Sequence, residues 1–310
     1  MRRLPFSVGE RLAAGLLAAL AFARPLQAQQ NFDAVQVTAQ QLAPRVYALF
    51  GSGGNMGLLV GDDGAVLIDD QYAPLSDKIK AAIARLTDKP VRFILNTHLH
   101  GDHTGGNEAF GKSGAVIVAH DNVRKRLSTP QFSQRFNRTT PPAPAAALPV
   151  VTFAEDLTLH LDGDSIRVVH VPPAHTDGDA FIYFAKANVI HMGDTFTNGS
   201  YPFVDVGSGG TIDGYLTAAD RVLAIANDQT KIIPGHGAVA TKAELQEYRR
   251  VVGTIRDRIA AMVKQGKSLT EVAAAKPTAE WDAAWGKGFM TPDVFLDIVY
   301  NDLKARLGGR

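Results

Sequence analysis

Three histidines and an aspartate fall within six residues in the stretch Thr97-His98-Leu99-His100-Gly101-Asp102-His103-Thr104, in a chain of 310 residues with nine histidines. Imidazole nitrogens and carboxylate oxygens at this density bind borderline cations such as Zn2+, with Fe and Mn accepting much the same donors. The chain has no cysteine. That excludes thiolate metal sites, thiol nucleophiles and disulfide scaffolds, so any metal must rest on His and carboxylates. On extended backbone, side chains two apart share a face, so His98 and His100 can reach one cation. Gly101 then permits a tight turn that throws Asp102 and His103 toward a second centre, and Gly105 and Gly106 let a helix start close by.

Three later fragments supply further ligand types, each at the end of an apolar run and beside turn residues: Pro173-Ala174-His175-Thr176-Asp177-Gly178, His191-Met192-Gly193-Asp194-Thr195 and Pro234-Gly235-His236-Gly237. Strand ends are where a sheet holds ligands rigidly and leaves a metal open to substrate. His120, His160, His170 and His191 sit in or beside strand patterns and are read as structural. Asp69 and Asp70 end an apolar strand and are candidates to support the ligands, because a ligating His usually donates its other N–H to a carboxylate or carbonyl.

The elements that must position these groups follow from periodicity. Residues 46–50, 56–60 and 65–68 read as strands joined by glycine turns, 75–86 as a helix and 91–96 as a short buried strand. After the histidine-rich loop come a helix near 105–110, a strand at 115–119 and a helix at 122–127, while Pro141 to Pro149 reads as a flexible loop. Five strands follow within 151–191. Helices are expected at 215–227, 242–264 (opened by a Thr241-to-Glu244 capping box), 269–275 and 292–307, with a strand at 231–233. Each half is strands first and helices second, which suggests two packed sheets covered by helices. Trp281, Trp285 and Phe289 are expected in the core under the last helices, and the glycine loop 51–54 as a flap or a hairpin turn.

HLHGDH, AHTDGD, HMGD and PGHG, in this order, resemble the metallo-β-lactamase superfamily over roughly residues 40–240. The resemblance implies an α/β fold, an αβ/βα four-layer sandwich with a two-metal site at the sheet edge. It implies two Zn2+ per chain, with His98, His100 and His175 on the first metal, Asp102, His103 and His236 on the second, and Asp194 bridging. A hydroxide held between two such ions is a nucleophile at neutral pH, and Asp102 is expected as the catalytic residue that orients it. The expected activity is zinc-dependent hydrolysis of an ester, lactone or amide. One zinc β-lactamase class carries Cys at the position of Asp194 and Lys where this chain has Thr197, and another carries Ser at 194, so β-lactams are the alternative rather than the first expectation. An iron-dependent oxidoreductase of the persulfide dioxygenase type is the alternative from another class. Tyr201 and Phe203, in the segment after Asp194, are expected to line the substrate pocket.

Composition bounds the partners. With 45% hydrophobic and 20% charged residues the chain is of ordinary globular type. Its net charge of +1 offers no basic field for nucleic acid, which leaves a small-molecule substrate; oligomeric state is not legible. Arg2 and Arg3, the apolar stretch from Leu12 to Ala23 and Leu26-Gln27-Ala28 have the layout of a signal peptide, too short to anchor stably in a bilayer. Cleavage after Ala28 is expected, with Ala23 as the other candidate, and residues 29–310 then form a single domain with C-terminal helices. Removal of residues 1–28 takes four Arg and one Glu, moves the net charge from +1 to −2, and places the protein in the periplasm or outside the cell.

Overall fold

The computed structural model describes residues 31–308 apart from 134 and 136, so the expected leader lies outside the described residues. From Phe32 onward the chain packs as one unit. Its strands are β1 (Thr38–Ala43), β2 (Val46–Phe50), β3 (Met56–Leu59), β4 (Ala65–Ile68), β5 (Val91–Leu95), β6 (Val116–His120), β7 (Gln131–Ser133) and β8 (Arg138–Thr140). Then follow β9 (Val151–Phe153), β10 (Asp156–Leu161), β11 (Asp164–His170), β12 (Ala180–Phe184), β13 (Val189–His191) and β14 (Lys231–Ile233).

One mixed sheet runs β1-β2-β3-β4-β5-β6-β9 and the other β10-β11-β12-β13-β14, with β7 and β8 a separate hairpin. Each sheet begins as an antiparallel meander and ends in parallel pairs. Parallel neighbours need a crossover, and helices supply it. These are α1 (Ser76–Ala84), the short α2 (Gly101–Thr104) and α3 (Asn107–Gly111), α4 (Asp121–Leu127) and α5 (Ile212–Ile225). The long α6 (Lys242–Lys264), then α7 (Leu269–Ala274), α8 (Asp282–Trp285) and α9 (Pro292–Leu307) complete the chain.

Strand periodicity explains the layering. In β4, Val66 and Ile68 face the second sheet and pack with Ile182 and Phe184. Leu67, pointing the other way, packs with Ile79 and Ile83 of α1 and with Phe110. Beyond the second sheet, Ile190 and Ile232 meet Ala218, Val222, Val251 and Val299 of α5, α6 and α9. Both sheets are therefore buried on both faces, which is why their central strands read as unbroken apolar runs. The order helix, sheet, sheet, helix is the four-layer arrangement, and the fold class is α/β.

Several local expectations are corrected. The histidine-rich loop is itself the start of a helix: Gly101 opens α2, so Asp102 and His103 leave the chain on a helical turn, and α3 begins at Asn107 rather than at 105. The stretch expected as a flexible loop at 141–149 is irregular but pinned, because Ala143 N–H donates to Leu127 O, Val150 N–H to Ile117 O and Asn107 Nδ2 to Ala147 O. β1 was silent in the pattern because only its last two residues are even partly buried; as an edge strand it pairs with β2 alone.

Phe289 is not core: it lies in the turn before α9 and is 64% exposed. Trp281 is buried and Trp285 half-buried. Tyr201 is also corrected. It is 1% exposed, stacks on Phe295 with ring centroids 4.8 Å apart, and donates to Asp282 Oδ1 (2.8 Å) and Thr278 O (3.2 Å). It belongs to the core under α8 and α9, not to a pocket wall. Tyr201→Phe is therefore expected to cost about 1 kcal/mol of stability, the worth of an ordinary internal hydrogen bond, in urea unfolding. A shift in substrate KM without a shift in the unfolding midpoint would contradict this placement.

Candidate metal centre

The ligand-type fragments, drawn from both sheets, converge because each follows the carboxyl end of a strand. Asp69 follows β4, His98 and His100 follow β5, His175 follows β11, Asp194 follows β13 and His236 follows β14. Two groups of ligand atoms, each within 4.8 Å of one another, result: His98, His100 and His175, and Asp102, His103 and His236. The Asp194 carboxylate stands between them. Its Oδ1 is 3.0 Å from His103 Nε2, and its Oδ2 is 3.3 Å from His236 Nε2, 3.5 Å from His175 Nε2 and 4.0 Å from His98 Nε2. Gly235 makes this approach feasible, since a Cβ there would fall 2.0 Å from Asp194 Oδ1.

The tautomers follow from the partners on the far side of each ring. His98 Nδ1–H donates to Thr97 Oγ1 (3.0 Å), whose own hydroxyl donates to Asp69 Oδ2 (2.7 Å). The same Oδ2 accepts from His103 Nδ1 (2.7 Å), while Asp69 Oδ1 accepts from the Thr97 amide (2.8 Å). One fully buried carboxylate thus fixes two of the expected ligands. Asp69 itself holds a left-handed backbone, φ 57°, a conformation kept only where surrounding bonds impose it. A third group of ligand atoms, Asp69 with His98 and His103, is already committed to these bonds.

His175 Nδ1–H donates to Phe203 O (2.6 Å) and His100 Nε2–H to Asp205 Oδ2 (2.8 Å). Their other nitrogens, His175 Nε2 and His100 Nδ1, then face each other at 2.7 Å. Two lone pairs at that distance repel unless a proton or a metal cation lies between them. His98 Nε2, His103 Nε2 and Asp194 Oδ1 are likewise buried without a hydrogen-bond partner, although all three aim into the same space. Orphaned buried polar atoms are costly, and this donor set fits divalent cations.

Charge tells the same story. Burial drives His98 well below the usual imidazole range and His175 down to about 4, so both are neutral and fit to ligate. Burial opposes ionisation of Asp194 and Asp102, but neighbouring imidazoles overcome it: His236 and His103 hold Asp194 well below the carboxylate range, and His103 and His236 hold Asp102 at about 2. Asp194 in turn lifts His236 to about 10 and, against burial, His103 well above its ordinary value. Protons on these two rings occupy the faces that a cation would take, so metal uptake must release protons.

The remaining sequence candidates fall as follows. Asp70 supports the site through the backbone: its N–H donates to His103 O (2.8 Å), and its Oδ1 accepts from Gly106 N–H (2.8 Å), which fixes the segment between α2 and α3. Phe203 lies against the centre, its ring stacked on His100 with centroids 6.2 Å apart. The glycine loop 51–54 is tied at its base, where Gly54 N–H donates to Asp102 O and Gln71 Nε2 to Gly54 O. A Cβ on Gly54 would strike the His103 ring at 2.1 Å. His191 bonds Asn55 O, His120 bonds Ala154 O and stacks on His170, and His160 faces Ser165; none reaches the centre. Asp205 was missed as the partner of His100: it is 105 residues away in sequence, and nothing local in the segment 198–205 marks it.

Comparison with known proteins agrees with this geometry. The profile described as "Metallo-beta-lactamase superfamily" matches residues 49–236. A 2,4-dinitroanisole O-demethylase subunit alpha from Nocardioides sp. is 29% identical over 147 residues, 46% of this chain and 42% of that protein. A hydroxyacylglutathione hydrolase from Polaromonas sp. is 29% identical over 167 residues, 53% of this chain and 55% of that protein. The chain thus spans about half the length of the curated relatives it matches. Among solved structures, a stereoselective inverting sec-alkylsulfatase from Pseudomonas sp. superposes with TM-score 0.67 at 19% identity, covering 88% of this chain and 51% of that one. A metallo-beta-lactamase from Pontibacter korlensis gives TM-score 0.57 at 18% identity over 70% of this chain and 99% of that one.

Proposed function

We propose that this chain, which belongs to the metallo-beta-lactamase superfamily, is an exported hydrolase that holds two Zn2+ ions and cleaves an ester, lactone or amide bond in a small molecule. The observation that carries the reading is the pair of three-ligand groups with the Asp194 carboxylate between them. His98, His100 and His175 would hold one ion, Asp102, His103 and His236 the other, and Asp194 would contact both. When bound, two such ions supply a hydroxide nucleophile at neutral pH and polarise the carbonyl it attacks.

The chain's own groups divide the remaining work. Asp69, Thr97, Asp205 and the Phe203 carbonyl lock the imidazole tautomers, so that the ligating nitrogens keep free lone pairs. Asp102, held at about 2 and 20% exposed, is ionised at neutral pH, which suits it to orient an attacking water by accepting its hydrogen bond. No serine or cysteine nucleophile is required.

A zinc-loaded preparation assayed side by side on a lactone, a thioester, a phosphodiester and the β-lactam nitrocefin tests the reading. Carboxylic ester-type substrates are expected to turn over fastest. Protein purified without added metal that carries iron, turns over only with oxygen and hydrolyses none of these substrates would sink it. Export carries its own check: the intact mass of protein from a periplasmic fraction is expected to correspond to a chain beginning at Gln29, and protein recovered at full length would contradict processing after Ala28.

A further inference from the structure

A cavity of about 390 Å³ opens beside His100. Its wall is mixed: His100, Glu108, Asp205 and Arg126 bring its charged or titratable groups, Arg126 already paired bidentately with Asp177 at 2.7 Å, and neutral polar side chains such as Asn107 and Gln131 stand among them. Leu99, Leu127, Phe132, Pro142, Ala147 and Phe203 make much of the rest of its wall. Phe132 comes from the β7–β8 hairpin, which is anchored to α4 where Arg126 Nη1 donates to Gln131 Oε1 (3.3 Å). Phe203 spans the boundary, since one side of its surroundings is the His100 and His175 rings and another is the edge-to-face ring of Phe289 at 6.0 Å. Arg135 of the hairpin connection lies over the other aromatic, Phe289, at 5.7 Å.

Two features ask for an occupant. Phe132 and Phe289 are 57% and 64% exposed, and both border on the metal centre through one cavity or one ring contact, although isolated exposed apolar residues would need no explanation. His100 is both a ligand candidate of the metal centre and part of the cavity wall, and Phe203 touches its ring, so a molecule in the cavity lies beside the centre. We propose that the substrate carries an apolar arm of medium length, an alkyl or aryl chain, that lies in this cavity between Phe203 and Phe132. Phe289 backs Phe203 and shields the same arm from water. This rests on the hydrolase reading for its scissile group but not for the arm itself.

The experiment measures kcat/KM of zinc-loaded protein on 4-nitrophenyl esters from acetate to decanoate, and in parallel the Kd of the straight-chain carboxylates from acetate to decanoate by calorimetry. Each methylene that enters the cavity is expected to raise kcat/KM and tighten Kd by about fourfold until the cavity is filled. Phe132→Ala and Phe289→Ala are each expected to flatten both series, and Phe132→Leu to restore the slope; zinc content and melting temperature identify a variant that has misfolded. Hydrolysis with no dependence on chain length, or slopes that survive both alanine variants, would overturn the inference and leave the hydrolase reading standing. Absence of hydrolysis throughout would sink the hydrolase reading, and the carboxylate series then decides the inference alone: decanoate bound no more tightly than acetate would overturn it.

Discussion

Asp194→Ala is expected to lower hydrolysis by more than about 100-fold, beyond the loss that removing a group supporting a ligand already causes, and to reduce bound zinc from two per chain toward none. The reason is its position. Its carboxylate lies within 4.0 Å of imidazole nitrogens from both ligand groups, so its removal weakens both at once and leaves Asp102, which reaches only His103 and His236, as the carboxylate of the centre. His98→Ala takes a ligand from the first group alone and is expected to retain zinc at the second while losing activity as severely. Metal content by mass spectrometry beside turnover on the best substrate reads both variants. Full zinc with unchanged turnover in either would contradict the assignment.

Asp69 gives the second large effect. Asp69→Ala leaves the Thr97 amide, the Thr97 hydroxyl and His103 Nδ1 without their acceptor in a fully buried place. Each unsatisfied donor costs about 1–3 kcal/mol, and their sum approaches the whole stability of a domain, about 5–15 kcal/mol; soluble protein is expected to be scarce. Asp69→Asn separates structure from chemistry. It keeps the volume and an acceptor for Thr97, but its amide presents a donor where His103 Nδ1–H also donates. A singly protonated His103 would relieve the conflict by carrying its proton on Nε2, the atom that faces Asp194 and Asp102, where the proton competes with a metal. Zinc affinity is expected to fall by about 10–100-fold while the melting temperature falls far less than in Asp69→Ala. Unchanged zinc affinity in Asp69→Asn would show that the tautomer is set by something else.

The centre was legible in sequence to the extent that its parts are local. His98, His100, Asp102 and His103 share one short stretch, and the apolar runs ending at Leu95, His191 and Ile233 announce strands whose ends must carry His98, Asp194 and His236. What supports those ligands was legible only in part. Asp69 could be suspected because it ends a strand beside the site, whereas Asp205 and the Phe203 carbonyl reach His100 and His175 through tertiary packing that no periodicity reports.

The same limit explains the aromatic residues. Tyr201 and Phe203 are two apart, which on a strand would give them one face, but residues 200–205 form no ladder. Tyr201 therefore turns into the core and Phe203 toward the metal centre. Phe289 resembles its neighbours Trp281 and Trp285 in type, yet lies in a turn rather than on a helix, and turns present side chains to solvent. The β7–β8 hairpin went unread because its strands are three residues each and mostly polar.

The most direct test of a shared two-metal centre is zinc titration of metal-stripped protein, with stoichiometry, proton release and hydrolysis followed together. Two zinc ions per chain, protons released as they bind, and hydrolysis that vanishes on chelation and returns with zinc are predicted. Hydrolysis that persists in the stripped protein, or a chain that takes up no zinc at these residues, would contradict the account.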